Sequence, residues 1–376
     1  MAATIPADDI QQTPTRLNSL DALRGFDMVW IMGLEPVVNE LASLTHWPVF
    51  ETMSKHLVHP DWNGFHFYDL IFPLFLFMAG VSTPFSVGRE LEKGTSRNKL
   101  LWRVVKRGLI LVLFGIIYNN GLNIKPLEEM RLGSVLGRIG LGYMFASIVY
   151  IYAAEKWQIF WFWFFIVAYW LILRFASAPG FPPGDLTMEG NFASYFDRCF
   201  LPGKLYLGIH DPEGLFSTIP AISTGILGIL TGITLKKTGL SQMKKVIRMV
   251  IVGVIFLALA QVWNLDFPIN KNLWSSSFVL NVGGYSLLLM ALFYYVIDVL
   301  GHKKWAFFFK IIGMNSILIY MSKKFIDWHF TNDAFFNWLF QLVGDPYNLV
   351  VAAITYLMIK WLFLYVMYQK KIFLRV

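Results

Sequence analysis

The stretch His59-Pro-Asp-Trp-Asn-Gly-Phe-His-Phe-Tyr-Asp69 runs directly into Leu70-Ile-Phe-Pro-Leu-Phe-Leu-Phe-Met-Ala-Gly80. Nothing from Leu70 to Val81 is charged. Such a run reads as the start of a membrane helix, which needs about 20 apolar residues. The histidine and the aspartate therefore bracket its mouth. Bilayers exclude ionisable groups, so those placed at an entrance are functional candidates. Histidine is also the side chain best suited to exchanging protons near neutral pH. An interfacial loop with incidental polar residues is the plainer reading of the same stretch.

Composition carries the membrane reading to the whole chain. Of 376 residues, 56% are hydrophobic and only 15% charged, where a soluble chain carries about a quarter charged. Aromatics reach 17%, which suits interfacial anchoring. The net charge of +8 then reads as basic loops against anionic lipid rather than a nucleic-acid footprint. The single cysteine, Cys199, excludes an intrachain disulfide.

The expected fold is all-α and polytopic, with about ten transmembrane helices: 20–42, 67–88, 101–120, 135–154, 157–176, 215–235, 246–264, 274–299, 305–325 and 348–369. Residues 334–343 are too short to cross and read as an interfacial or re-entrant helix. Residues 1–19 read as a polar cytoplasmic segment without the apolar core of a signal peptide, and 20–376 as one membrane domain. Most lysines and arginines fall at one set of helix ends, from Arg16, through Arg89 to Arg107, Lys236 to Arg248 and Lys303 to Lys310, to Arg375. The positive-inside rule places both termini in the cytoplasm. His59 then lies on the outer side, as does the long 177–214 loop with Asp211 and Glu213.

Several polar groups fall inside the spans. Asp21, Arg24 and Asp27 are three apart and share a helix face, so Arg24 can pair with either acid. Glu35 lies roughly 16 Å further along the axis. Lys360 sits mid-span and needs an internal partner. Asn315 and Ser316 interrupt an apolar span, where helix-packing polar contacts are the plain reading. No glycine-rich phosphate loop occurs. His56 and His59 are three apart, but Pro60 breaks the helix, and no metal is expected.

Eight elements recur in order: Leu20-Asp-Ala-Leu-Arg-Gly25, His59-x-x-Trp62-Asn63-Gly64, Asp69-Leu-Ile-Phe-Pro73, Gly133-Ser-Val-Leu-Gly-Arg138, Asp211-Pro-Glu-Gly-Leu215, Pro268-Ile-Asn-Lys-Asn-Leu-Trp-Ser275, Gly313-Met-Asn-Ser-Ile-Leu-Ile-Tyr320 and Lys370-Lys-Ile-Phe373. Through them the chain resembles the heparan-α-glucosaminide N-acetyltransferase family, within the wider transmembrane acyltransferases. The first element is shared by many membrane acyltransferases. The His-x-x-Trp-Asn-Gly and Asn-Lys-Asn-Leu-Trp-Ser elements together are specific. The resemblance implies transfer of acetyl from cytoplasmic acetyl-CoA to a terminal glucosamine amine on the far side. The family's active histidine falls on His59. The lysosomal protein has an additional N-terminal lumenal region and span, and carries an uncharged amide at the position of Glu35.

Roles follow as expectations. His59 acts as general base or as acetyl-accepting nucleophile, Asp69 orients it, and Asn63 holds the thioester oxygen or the acceptor. Arg24, Arg103, Arg107, Arg138, Asn315, Ser316, Lys370 and Lys371 form the expected acetyl-CoA set, its cations meeting the phosphates. Trp62, Glu35, Asp211, Glu213 and Asn272 are expected to face a cationic amino sugar. Expected partners are that sugar, acetyl-CoA and membrane lipid, with a homodimer as one assembly and no nucleic acid. The expected location is a bacterial inner membrane. The competing classes are an amino-sugar transporter, an O-acyltransferase acting on an exported glycan and a non-catalytic scaffold.

Overall fold

The computed structural model describes residues 17–123 and 125–374. The segment 1–16 expected to be cytoplasmic, Arg16 and Arg375 lie outside the described residues. The chain folds as α1 (Asn18–Val29), α2 (Glu35–Thr45), α3 (Pro48–Lys55), α4 (Ile71–Glu92), α5 (Arg97–Asn120), α6 (Val135–Tyr152), α7 (Glu155–Phe175) and α8 (Phe192–Phe200). It continues through α9 (Thr218–Lys236), α10 (Gln242–Asn264), α11 (Ser276–Phe293), α12 (Ala306–Met314), α13 (Ser316–Phe325), α14 (Trp328–Val343) and α15 (Tyr347–Gln369). It is all-α: among the described residues the only extended pairing is two isolated bridges.

Among the described residues, seven helical stretches are long and apolar enough to cross a membrane: Phe67–Glu92, Val135–Tyr152, Glu155–Phe175, Thr218–Lys236, Gln242–Asn264, Ser276–Val299 and Tyr347–Gln369. The other three expected spans differ for physical reasons. α5 opens with Arg97, Lys99, Arg103, Lys106 and Arg107. The first span is split into α1 and α2, and the ninth breaks at Asn315 into α12 and α13. α14 starts at Trp328, six residues before the apolar run, because Asp327 caps it by accepting from the amides of His329 and Phe330.

α9 is the innermost of the long spans, with 78% of its apolar window buried, whereas α10 buries 22% and turns the rest outward. Glycines allow the inner helices to approach. A methyl group at Gly228 would stand 2.0 Å from the Phe77 carbonyl oxygen of α4. Small residues at such seams let membrane helices pack backbone to backbone. A second seam explains two of the sequence elements. A Cβ at Gly25 would meet the Phe309 carbonyl oxygen at 1.7 Å, and one at Gly313 would meet that of Asp21 at 1.9 Å. The Leu20–Gly25 and Gly313–Tyr320 elements are thus two sides of one α1–α12 contact.

Between α1 and α2 the helix widens over Trp30–Leu34, and Gly33 leaves helical geometry. Freed carbonyls are costly in an apolar interior. Two lysines, Lys360 fully buried and Lys323 partly so, meet them. Lys360 Nζ donates to Met32 O at 2.7 Å, and Lys323 Nζ donates to Ile31 O. The Lys360 ammonium also sits 3.4 Å above the Tyr356 ring. These are the internal partners that a mid-span lysine requires.

Overpacking a tight seam costs about 1–3 kcal/mol or more. Gly25→Val and Gly313→Val are each expected to lower the thermal midpoint of the detergent-purified protein clearly. Gly239→Ala, where a Cβ meets nothing within 4 Å, is the control and leaves the midpoint unchanged.

Candidate active site

The loop ahead of α4 is shaped by its own polar groups. His66 Nδ1 bonds the Val58 carbonyl at 2.7 Å, and Tyr68 N donates to His56 O at 3.1 Å. The short turn Phe67–Leu70 follows. Asp69 Oδ2 accepts from the His66 backbone amide at 2.9 Å, which fixes its carboxylate. The loop therefore lays His59 over Asp69, and Asp69 Oδ1 meets His59 Nδ1 at 2.6 Å. Asp69 is fully buried, while the His59 side chain is 44% exposed. A carboxylate on Nδ1 fixes the proton there and leaves Nε2 with its lone pair.

The turn before α11 closes the site from the other side. Asn270 Oδ1 accepts from the Leu273 amide at 2.8 Å, making a tight asparagine turn. Asn270 Nδ2 donates to Asn63 Oδ1 at 3.0 Å, and Gly64 N donates to Ile269 O at 2.8 Å. Lys271 then reaches His59, with Nζ 2.9 Å from Nε2 and 3.2 Å from Nδ1. The two elements that are specific in the sequence form one structure. Asn63 spends its oxygen on Asn270, so its Nδ2 is the half left to donate.

The expected residues fall into three groups. His59 and Asp69 are in contact, and Asn63 is tied through Asn270 to the turn that carries Lys271. Glu35 joins them through Tyr68, whose hydroxyl donates to Glu35 Oε2 at 2.8 Å and whose ring centroid lies 5.1 Å from that of His59. Trp62 is tied to the 177–214 loop: its indole donates to Leu186 O at 2.9 Å and its ring meets that of His210 edge-on at 5.3 Å. Asn272 follows Lys271 in the turn, and its backbone faces His210.

Asp211 and Glu213, expected to meet a cationic sugar, instead hold Arg131. Arg131 Nε and Nη2 donate to the two Asp211 oxygens at 3.0 and 2.8 Å, and Nη2 also donates to Glu213. The Arg131 guanidinium holds the Asp211 carboxyl below the usual range, against the opposing effect of burial.

The expected acetyl-CoA set is not one cluster. Arg24 bridges α1 to α4, donating to Met78 O at 3.3 Å and to Ser82, and pairs with Asp21 at 3.8 Å. Arg107 covers the Tyr143 ring at 4.5 Å, and Arg103 lies 3.8 Å from Glu90. Lys370 and Lys371 are exposed at the end of α15. Arg138 differs from expectation. It is buried near the start of α6, donates to Gly214 O and Ser217, and lies 4.8 Å from the Trp274 ring. It braces the loops at the His59 end, away from the cations of α5. Asn315 is taken by the chain itself: its Nδ2 donates to Ile372 O at 2.8 Å and its Oδ1 accepts from Leu374 N at 3.0 Å. Its neighbour Ser316 lines an apolar cleft with Met28, Phe72, Phe75 and Leu136.

Sequence reading missed Lys271 and Tyr68. Both lie inside quoted elements. Their signal was a lone cation between two turn-forming asparagines, and a tyrosine adjoining the entrance acid.

Residues 16–124 match a family described only as a domain of unknown function, DUF5009. The heparan-α-glucosaminide N-acetyltransferase of Homo sapiens is 27% identical, over 96% of this chain and 60% of its own length. The same enzyme of Mus musculus is 27% identical over 100% of this chain and 63% of its own. These matches support membership of that family. The chain spans about three-fifths of the length of these curated relatives.

One pH effect follows from the outer loop. Burial pushes the His210 imidazole down to about 4, although Asp211 pulls it up. Unfolded histidine titrates near pH 6.5. Between about 6.5 and 4 the unfolded chain binds a proton that the folded chain refuses. Stability from His210 is therefore present above that window and lost on acidification, by about 3 kcal/mol at most. Asp197, pushed up to about 6 by burial, works in the opposite sense. The difference between wild type and His210→Gln isolates the histidine. The variant is expected to lose less thermal stability than wild type between pH 7 and 4.5.

Proposed function

We propose that this chain is a transmembrane N-acetyltransferase of a bacterial inner membrane. It takes acetyl from acetyl-CoA at the cytoplasmic face and passes it to the amine of a glucosamine-type sugar at the outer face. The observation that carries this reading is the His59–Asp69 pair: a half-exposed imidazole with Nδ1 held by a buried carboxylate and Nε2 facing outward from that bond. The names of the relatives supply the acetyl group and the glucosaminide class.

The chemistry follows from proton inventory. A sugar amine is protonated at neutral pH and attacks a thioester only after losing that proton. His59 Nε2 takes it. The amine lone pair then adds to the thioester carbonyl carbon, and Asn63 Nδ2, whose partner oxygen is taken by Asn270, is the donor proposed for the developing oxyanion. The carbon–sulfur bond breaks and the thiolate leaves as CoA, taking the proton held on His59 Nε2. The freed Nε2 then accepts the second proton of the nitrogen as the neutral amide forms and passes it to water, so one proton is released per acetyl transferred. Asp69 holds the imidazole and stabilises its charged form in between. Glu35, linked through Tyr68, adds negative charge that favours a cationic acceptor. CoA phosphates cannot enter lipid, so they stay with inner-face cations while the thin pantetheine arm enters the bundle.

Purified protein with acetyl-CoA is expected to release thiol with glucosamine, and not with glucose or N-acetylglucosamine. Equal release with glucose makes it an O-acyltransferase and rejects the amine assignment. Glucosamine uptake into vesicles without acetylation makes it a transporter. His59→Ala is expected to lower turnover by about 10²–10⁴-fold with acetyl-CoA binding retained, and Asp69→Asn by less. In sealed vesicles, external acetyl-CoA is consumed only in the inside-out orientation; equal consumption in both rejects the topology.

A further inference from the structure

Lys271 has no role in the exchange just described, yet it stands closer to His59 Nε2 than any other side chain bonded to it. Its Nζ lies 2.9 Å from Nε2, 3.2 Å from Nδ1 and 3.6 Å from Asp69 Oδ1. The side chain is only 12% exposed, and its ammonium faces the Phe72 ring at 5.5 Å. Its position is built rather than incidental. The asparagine turn at Asn270 fixes the backbone on either side of it, and the Asn63–Asn270 bond ties that turn to the loop carrying His59.

The groups facing this cluster can be counted by charge. Among the described residues, Asp69 supplies the carboxylate in contact with His59. Tyr68, neutral, flanks the ring and leads to Glu35. Glu213 acts on Lys271 favourably and Arg138 unfavourably at longer range. Burial lowers the basicity of the Lys271 ammonium, and Asp69 and Glu213 offset this only in part. With Lys271 charged, the local sum at His59 is already balanced by Asp69. Protonating the imidazole would then set two adjacent cations against one contacting carboxylate, and like charges within about 4–6 Å disfavour the charged form. Without Lys271, Asp69 and an imidazolium would make a stable ion pair, and the base would be spent before an acceptor arrived.

We propose that Lys271 is a positioning residue that keeps His59 neutral, with the Nε2 lone pair held for the acceptor amine. The ammonium donates to Nε2 in the resting site and yields that place when the acceptor enters. This inference rests on the acetyltransferase reading given above. It assigns Lys271 an effect on the protonation of the base, not on the capture of acetyl-CoA.

The test compares pH profiles of kcat/KM for thiol release with glucosamine, in wild type, Lys271→Met and Lys271→Arg. In Lys271→Met the acidic limb is expected to move up by about one pH unit, because the imidazolium is now favoured and the base is lost at higher pH. Lys271→Arg keeps the charge and is expected to keep the wild-type limb. The KM for acetyl-CoA is expected to stay within about twofold in both. An unshifted limb in Lys271→Met, or an equal shift in both variants, overturns the proposal. If Lys271→Met does not fold, Lys271→Gln is read in the same way. Absence of glucosamine-dependent thiol release in wild type rejects the acetyltransferase reading instead, so the two failures are distinct.

Discussion

Asp69 sets a fully buried carboxylate at the first turn of a membrane helix, where an unpaired charge would cost several kcal/mol. Three donors answer it: the His66 amide, the His59 ring and, slightly further off, Lys271. Each comes from a different part of the loop system, so satisfying one charge assembles the site. The 56–69 loop must curl to bring in His59, and the turn before α11 must approach to bring in Lys271. Burial of Asp69 is thus both the electrostatic cost of the site and the reason it is rigid.

The same constraint governs the first span. Its break at Gly33 frees backbone carbonyls in an apolar interior, and Lys360 and Lys323 reach in from α15 and α13 to satisfy them. Three separate helices are locked at one depth by two hydrogen bonds from cations. Their loss would leave polar atoms that hydrocarbon cannot solvate. Broken helices also suit transporters, but here the break is closed by side chains of the chain itself.

The all-α membrane class was legible in the sequence, because long uncharged runs such as 70–81 admit few alternatives. Spans carrying charge were less so. α5 reads as apolar only after its five cations, and the ninth segment hides a backbone break at Asn315 behind favourable residues. At the candidate site, the entrance pattern made His59 and Asp69 legible as neighbours, and they are in contact. Asp211 and Glu213 were not, because their partner Arg131 lies about 80 residues away in sequence. An acid pair in a loop looks the same whether it awaits a ligand or already holds an arginine. Lys271 was obscured for a related reason: in a tight turn adjacent residues point in different directions, and spacing alone does not say which one faces inward.

The remaining physical problem is the distance between inner-face cations and His59. A narrow apolar cleft runs between the broken spans. It is lined by Met28 and Ile31 beside the first-span break, by Phe72 and Phe75 of α4, by Leu136 and Ile139 of α6, and by Ser316 and Tyr320 of α13. Phe72 is the ring that Lys271 faces, so one end of the cleft adjoins the His59 site. Ser316 adjoins Asn315, which the 372–374 tail engages, so another part of the lining lies next to the end of the chain. A nucleotide could not desolvate in such a lining, whereas a thin chain of amides and methylenes meets both apolar walls and two hydroxyl groups. The breaks in the first and ninth spans both border this cleft. Interrupting a helix removes backbone hydrogen bonds at one depth, so both breaks weaken the wall of a cleft that is narrow in this structure. The cleft itself holds about 20 Å³, so a donor arm following it in the proposed reaction requires the two broken helices to part, with the lysine-bonded carbonyls keeping the first-span break satisfied as they do.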